Sequence, residues 1–150
     1  MAKLRITALD GLHQGEVVEA QFNPKEISVD RAVAWQEQPH GGPAALQFER
    51  VDPARMSFEL LFDGVEAAAS VQPYLDQLAR LTRVDDDLHR PPKVKVVWGR
   101  GASALPTFAG VIESVSVRYT MFAESGVPLR ATAAVQLREA VAIKVDASDA

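Results

Sequence analysis

The chain is 150 residues long, 47% hydrophobic and 24% charged, with a formal net charge of −4. Those values fit one folded domain with an ordinary core and exclude global disorder. It has no cysteine, which rules out disulfides, thiolate metal sites and cysteine nucleophiles, and its scattered basic residues and pI of about 5.4 argue against nucleic-acid binding.

The opening Met1-Ala2-Lys3-Leu4-Arg5-Ile6-Thr7 has no apolar h-region after its basic residues, so no secretory leader is expected. No run is long enough to span a bilayer. The expectation is a soluble protein, made and folded in the cytosol, that does not insert in a membrane. Alternation with a period of two, the mark of half-buried strands, dominates the chain. Leu4, Ile6 and Ala8 alternate with Lys3, Arg5 and Thr7, and Asp10-Gly11 with Gly15 closes a first hairpin. Val18, Ala20 and Phe22 form the next apolar face, which ends at Asn23-Pro24. Ile27, Val29, Val33 and Trp35 read as one face interrupted by Arg31. Residues 37–52, with Pro39, Gly41, Gly42 and Pro43, read as a long loop. Met56, Phe58, Leu60 and Phe62 then share a face.

One segment changes period. Val71, Tyr74, Leu75, Leu78 and Leu81 recur at helical spacing. Ser70 is the expected N-cap and Pro73 falls in the first turn, while Asp63 with Glu66 is a rival start. The acidic run Asp85-Asp86-Asp87 and then Pro91-Pro92 end the helix. Val94, Val96 and Trp98 resume the alternation. Val111, Val115, Val117, Tyr119 and Met121 follow, set against Ser114, Ser116, Arg118 and Thr120. Ser125-Gly126 turns the chain into Leu129, Ala131, Ala133, Val135 and Leu137, whose alternates are Arg130, Thr132, Ala134, Gln136 and Arg138. Such alternation suits a mainly β, antiparallel barrel or sandwich with one packed helix. The domain is expected to span residues 1–139, followed by a short, Ala-rich, frayed tail at 140–150.

Chemistry is sparse. His13, His40 and His89 lie in turn-rich segments and lack zinc-site spacing. The acidic run lacks the alternation, glycine and terminal glutamate of a calcium loop. Gly99-Arg100-Gly101 is followed by no helix whose N-terminus could hold an anion. Glu113 and Glu124 form only the kind of carboxylate pair that most proteins offer. No catalytic residue, cofactor or metal is expected. Trp35 and Trp98 are read first as core residues and second as interface anchors.

From Phe22 to Glu139 the order of features is familiar. Phe22-Asn23-Pro24, Trp35, Gly41-Gly42 and Leu46-Gln47-Phe48 precede Met56-Ser57-Phe58-Glu59-Leu60-Leu61-Phe62-Asp63. Then come Pro91-Pro92-Lys93-Val94-Lys95-Val96-Val97-Trp98-Gly99, Phe108-Ala109-Gly110-Val111-Ile112-Glu113-Ser114-Val115, Tyr119-Thr120-Met121-Phe122 and Gly126-Val127-Pro128-Leu129-Arg130-Ala131. This combination resembles the tube-type domain of contractile injection system tube/baseplate adaptor proteins of phage-tail-like particles. The resemblance implies a tail-tube fold with one flanking helix. It also implies a hexameric ring that connects tube and spike and lets payload pass, with tube, spike and baseplate proteins as neighbours. The particle would be assembled in the bacterial cytoplasm, and the chain would be structural and not an enzyme. Many members of that family run on into a LysM-type region. For a form ending at Ala150 the expectation is a tube or tube-initiator subunit, or one whose partner protein supplies the extra role.

The resemblance further implies lumen-lining strands, for which Ser114, Ser116, Arg118, Thr120, Arg130, Thr132 and Gln136 are the candidates. It implies an extended loop reaching a neighbour, for which Gly41, Gly42, Pro43, Leu46 and Phe48 are the candidates. The alternative is a small β-barrel module binding a ligand or peptide in an apolar groove.

Overall fold

In the computed structural model, which describes residues 2–38, 42, 45–143 and 145, the alternating segments fold as follows. The strands are β1 (Arg5–Ala8), β2 (Val17–Glu19), β3 (Ile27–Asp30), β4 (Val33–Glu37), β5 (Leu46–Val51), β6 (Arg55–Asp63), β7 (Val94–Val97), β8 (Phe108–Phe122) and β9 (Pro128–Glu139), with helix α1 (Gln72–Arg80) between β6 and β7. Seven strands form one antiparallel sheet in the order β2-β1-β7-β8-β9-β6-β3. The sheet curls until the segment after β2 reaches the end of β6. Just past β2, the Gln21 side chain accepts from the Asp63 N–H (2.8 Å) and donates to the Asp63 carbonyl (2.7 Å). A side-chain amide thus stands in for one rung of a β-ladder.

The curl encloses a single core. Leu4, Ile6, Val18, Val94 and Val96 from one end of the sheet pack with Phe58, Leu60, Phe62, Ala133, Val135 and Leu137 from the other. Each fully buried Leu, Val or Phe stabilises the fold by ~1.5–3 kcal/mol relative to an exposed one. Helix α1 lays Leu75 and Leu78 on this core, and Tyr74 stacks on Phe62 with centroids 5.0 Å apart. The helix begins after Val71, and Ser70 Oγ accepts from the Gln72 N–H (3.1 Å), so Ser70 satisfies a first-turn donor from one residue further out than expected. Asp63 closes β6 and does not start the helix.

Several expectations need correction. The segment Ile27 to Trp35 is two strands in two different sheets, broken at Arg31-Ala32. The long loop at 37–52 is largely a hairpin: β5 pairs with β4, with Trp35 opposite Phe48 and Val33 opposite Val51. The extra residue Glu49 breaks the alternation of β5 and hid it among the nearby Gly and Pro residues. Phe22 is 49% exposed, because β2 ends at Glu19. In β8 a bulge at Glu113 separates Ile112, opposite Leu137, from Ser114, opposite Gln136. Phe108, Gly110 and Ile112 therefore point inward before the bulge, Val115 and Val117 after it, and Val111 sits on the other side. Trp98 packs against the core, whereas Trp35 does not.

The acidic run also has a structural part. Asp85 accepts from the N–H groups of Leu12 (2.7 Å), Asp87 (2.9 Å) and Leu88 (3.1 Å), tying the first hairpin turn to the segment after α1. These bonds, that from Leu12 first, hold its carboxyl below the usual aspartate range.

Candidate assembly surfaces

The β4–β5 hairpin leaves the curled sheet through residues 31–32 and 52–54. Its clearest backbone tie at that base is the Asp52 N–H donating to the Ala32 carbonyl (2.9 Å). Register puts Val33, Trp35, Leu46, Phe48 and Val51 on one side of it, with Glu37 at the edge opposite Leu46. All five are exposed, from 45% for Val33 to 66% for Val51. Trp35 and Phe48 meet edge to face, with centroids 5.6 Å apart. The opposite side carries Ala34, Gln36, Gln47 and Arg50. A contiguous apolar face that its own chain leaves uncovered marks an interaction surface. Of the five residues proposed for a neighbour-reaching loop, Leu46 and Phe48 lie on this face. Gly42 is exposed near its tip, and Gly41 and Pro43 fall outside the described residues. Sequence reasoning left Val33 and Val51 out of the set and gave Trp35 only a second reading as an interface anchor; Val33 and Trp35 alternate visibly, whereas the extra Glu49 hides Val51.

The second surface is the solvent side of β3, β6, β9 and β8. Ser114 stands opposite Gln136, Ser116 opposite Ala134, and Arg118 opposite Thr132. The structure thus brings five of the seven candidate lumen residues into one patch. Arg130 lies on the same side opposite Met121, while Thr120 falls at a second irregularity of β8. The patch is charged as well as polar. Arg130 pairs with Asp63 (3.1 Å), Arg118 with Glu59 (3.5 Å), and Arg138 and Arg55 both with Glu113 (3.1 and 3.8 Å). The bulge explains the last arrangement. Arg55 and Arg138 face each other in register, a like-charge contact that is unfavourable across strands. The extra residue of β8 sets a carboxylate between them. Arg118 reaches Glu59 across the small Ala134, which stands opposite both Glu59 and Ser116.

Asp63 sits below the ordinary aspartate range, first through the Val65 N–H that it accepts and then through Arg130. Asp10 is held down too. Its partial burial pulls the other way, but hydrogen bonds from Arg90 (2.9 Å) and the Lys93 N–H (2.8 Å), and their charges, outweigh it.

Two clefts open on the surface of the described residues. One of about 340 Å³ is lined by Asp10, Leu12, Arg83 and Asp85 among others, and one of about 570 Å³ by Asp30, Asp52, Arg55 and Arg138 among others. Both are rich in charge, unlike the apolar groove of a ligand-binding module. Among the described residues no three acidic or histidine side chains converge as a metal site, and no helix is long and apolar enough to cross a membrane. His13 pairs with Glu16 in the first hairpin turn, His89 is exposed, and His40 lies outside the described residues.

A family model described as contractile injection system tube protein matches residues 1–147. No curated protein matches the chain.

Proposed function

Because the chain belongs to the contractile injection system tube protein family, we propose that it is a structural ring-forming subunit of the inner tube or baseplate hub. Six copies form the ring, which joins tube to spike and lets payload pass through its bore. Residues 1–139 form the ring-building domain, and tube, spike and baseplate proteins are its axial neighbours. The chain carries out no catalysis, and the particle is assembled in the bacterial cytoplasm. The observation that carries this reading is the uncovered apolar face of the β4–β5 hairpin, which needs a partner beyond its own chain. Repetition of one head-to-tail contact closes a ring when the rotation fits, and a hairpin that projects from the body suits such a contact. The polar side of β8 and β9 then faces the bore, where few apolar side chains are offered to passing cargo.

Native mass spectrometry across a concentration series, with electron microscopy of the same samples, tests this. Hexamers or stacked rings with a central hole are expected. A monomer at every concentration, persisting on co-expression with tube and spike proteins, overturns the reading.

A further inference from the structure

The solvent side of β3, β6, β9 and β8 carries Arg55, Arg118, Arg130 and Arg138 together with Asp30, Glu59, Asp63 and Glu113. The two signs balance. Each of the four arginines has a carboxylate within 4 Å, and Asp30 stands opposite Arg55 in register. The chain as a whole has four more acidic than basic residues, so its acidic excess lies away from this wall. Exposed pairs of this kind add little to stability. Arg118 and Glu59, with side chains 74% and 57% exposed, are of that kind. What the pairs do set is the field. In a ring every copy repeats the same wall, so one unmatched charge per chain becomes a band of like charge around a confined bore, where fields are focused.

We propose that Glu59 and Glu113 are specificity-determining residues that mask the wall arginines, so that charged cargo of either sign passes without being held. Without them Arg55, Arg118 and Arg138 would form a basic strip that retains polyanions. The proposal rests on the reading of this wall as the bore, but the masking itself is a property of the single chain.

The test titrates fluorescent oligothymidylate and oligolysine against the purified chain. The wild type is expected to show no saturable binding of either probe over the range in which non-specific nucleic-acid binders saturate, roughly 10⁻⁶ to 10⁻⁴ M. Glu59→Gln with Glu113→Gln is expected to gain at least about tenfold in oligothymidylate affinity, lost again as salt rises. Ser116→Lys, which leaves every pair intact on an exposed position, is expected to gain in the same direction and covers the case in which the double variant folds poorly. Glu66→Gln with Glu124→Gln removes the same charge from exposed turn positions outside the wall strands and is expected to gain nothing. Binding of either probe by the wild type, no gain in both wall variants, or an equal gain in the off-wall variant overturns the proposal. The bore reading is tested separately. Ser116→Cys gives the chain its one thiol, which in assembled particles should react with a small maleimide and not with one carried on a bulky polymer. Equal reaction with both sinks the bore reading, while the titrations on the free chain still decide the masking.

Discussion

Replacing Trp35 by serine separates assembly from folding. The side chain is 56% exposed in the single chain and touches Phe48 at the centre of the hairpin face. A large aromatic buries 150–250 Å² when fully covered, so a neighbour that covers the free half of Trp35 removes roughly 100 Å² from water. At ~25 cal/mol per Å² that contributes about 2.5 kcal/mol, or ~60-fold in the association constant of each contact. Within the single chain the loss is the aromatic pair, ~0.5–1.5 kcal/mol, and it falls on a hairpin outside the core. Trp35→Ser should therefore need about 60-fold more protein to assemble, read by sedimentation or native mass spectrometry. Its urea midpoint should barely move. The variant supplies its own reporter, since Trp98, the other of the two tryptophans, packs on the core. A drop of ~3–5 kcal/mol in barrel stability, the cost of emptying a core tryptophan site, would refute the reasoning. So would unchanged assembly.

Three further outcomes are expected. At Gly110 a Cβ would stand 1.9 Å from the Arg138 carbonyl oxygen, so Gly110→Ala must push β8 from β9. It should cost ~1–3 kcal/mol or more in urea unfolding, and an unchanged midpoint would contradict the close approach of the two strands. Gln21→Ala should cost ~1–3 kcal/mol by stripping both partners from the Asp63 backbone. Gln21→Glu, whose second carboxylate oxygen would face the Asp63 carbonyl without a proton to donate, should not restore the loss. Thermal melts against pH should be flat with respect to Asp10, Asp63 and Asp85 above about pH 5 and fall in acid. Each is lowered in the folded chain below the usual aspartate range, so its stabilising contribution is complete above the unfolded value and is lost as pH drops through the folded one. Asp10→Asn should flatten part of that acid limb, and an unchanged limb in the variant would contradict the assignment.

The strands whose partners lie on both sides were the legible ones. Ala131, Ala133, Val135 and Leu137 alternate without a break and are fully buried, and the Val71-to-Leu81 spacing gave the helix. Alternation says that a face is apolar, but not what covers it. Trp35 therefore read as core when it belongs to a hairpin that leaves the sheet. Arg31-Ala32 carries no Gly or Pro to mark the break between β3 and β4. The Glu113 bulge was hidden because Val111 and Val115 are both apolar and span it. The polar wall was half legible. Its serines and Thr132 alternate along β8 and β9, but Glu59 and Arg55 reach it only through the pairing of β6 with β9. Asp85 looked like a solvated acid because its partner Leu12 lies 73 residues away.

The single extra residue at position 113 works like an inserted letter that the ladder skips. Upstream of it the core-facing side chains of β8 are even-numbered, and downstream they are odd-numbered. Deleting Glu113 would close β8 into a regular ladder, since Ile112 and Ser114 already stand opposite the adjacent Leu137 and Gln136; Val115 and Val117 would stay inward, and what would go is the carboxylate between Arg55 and Arg138. Elsewhere in β8 a one-residue deletion would turn every side chain beyond it to the other face, so changes of length along this strand should be confined to position 113 and to the turn around Ser125-Gly126.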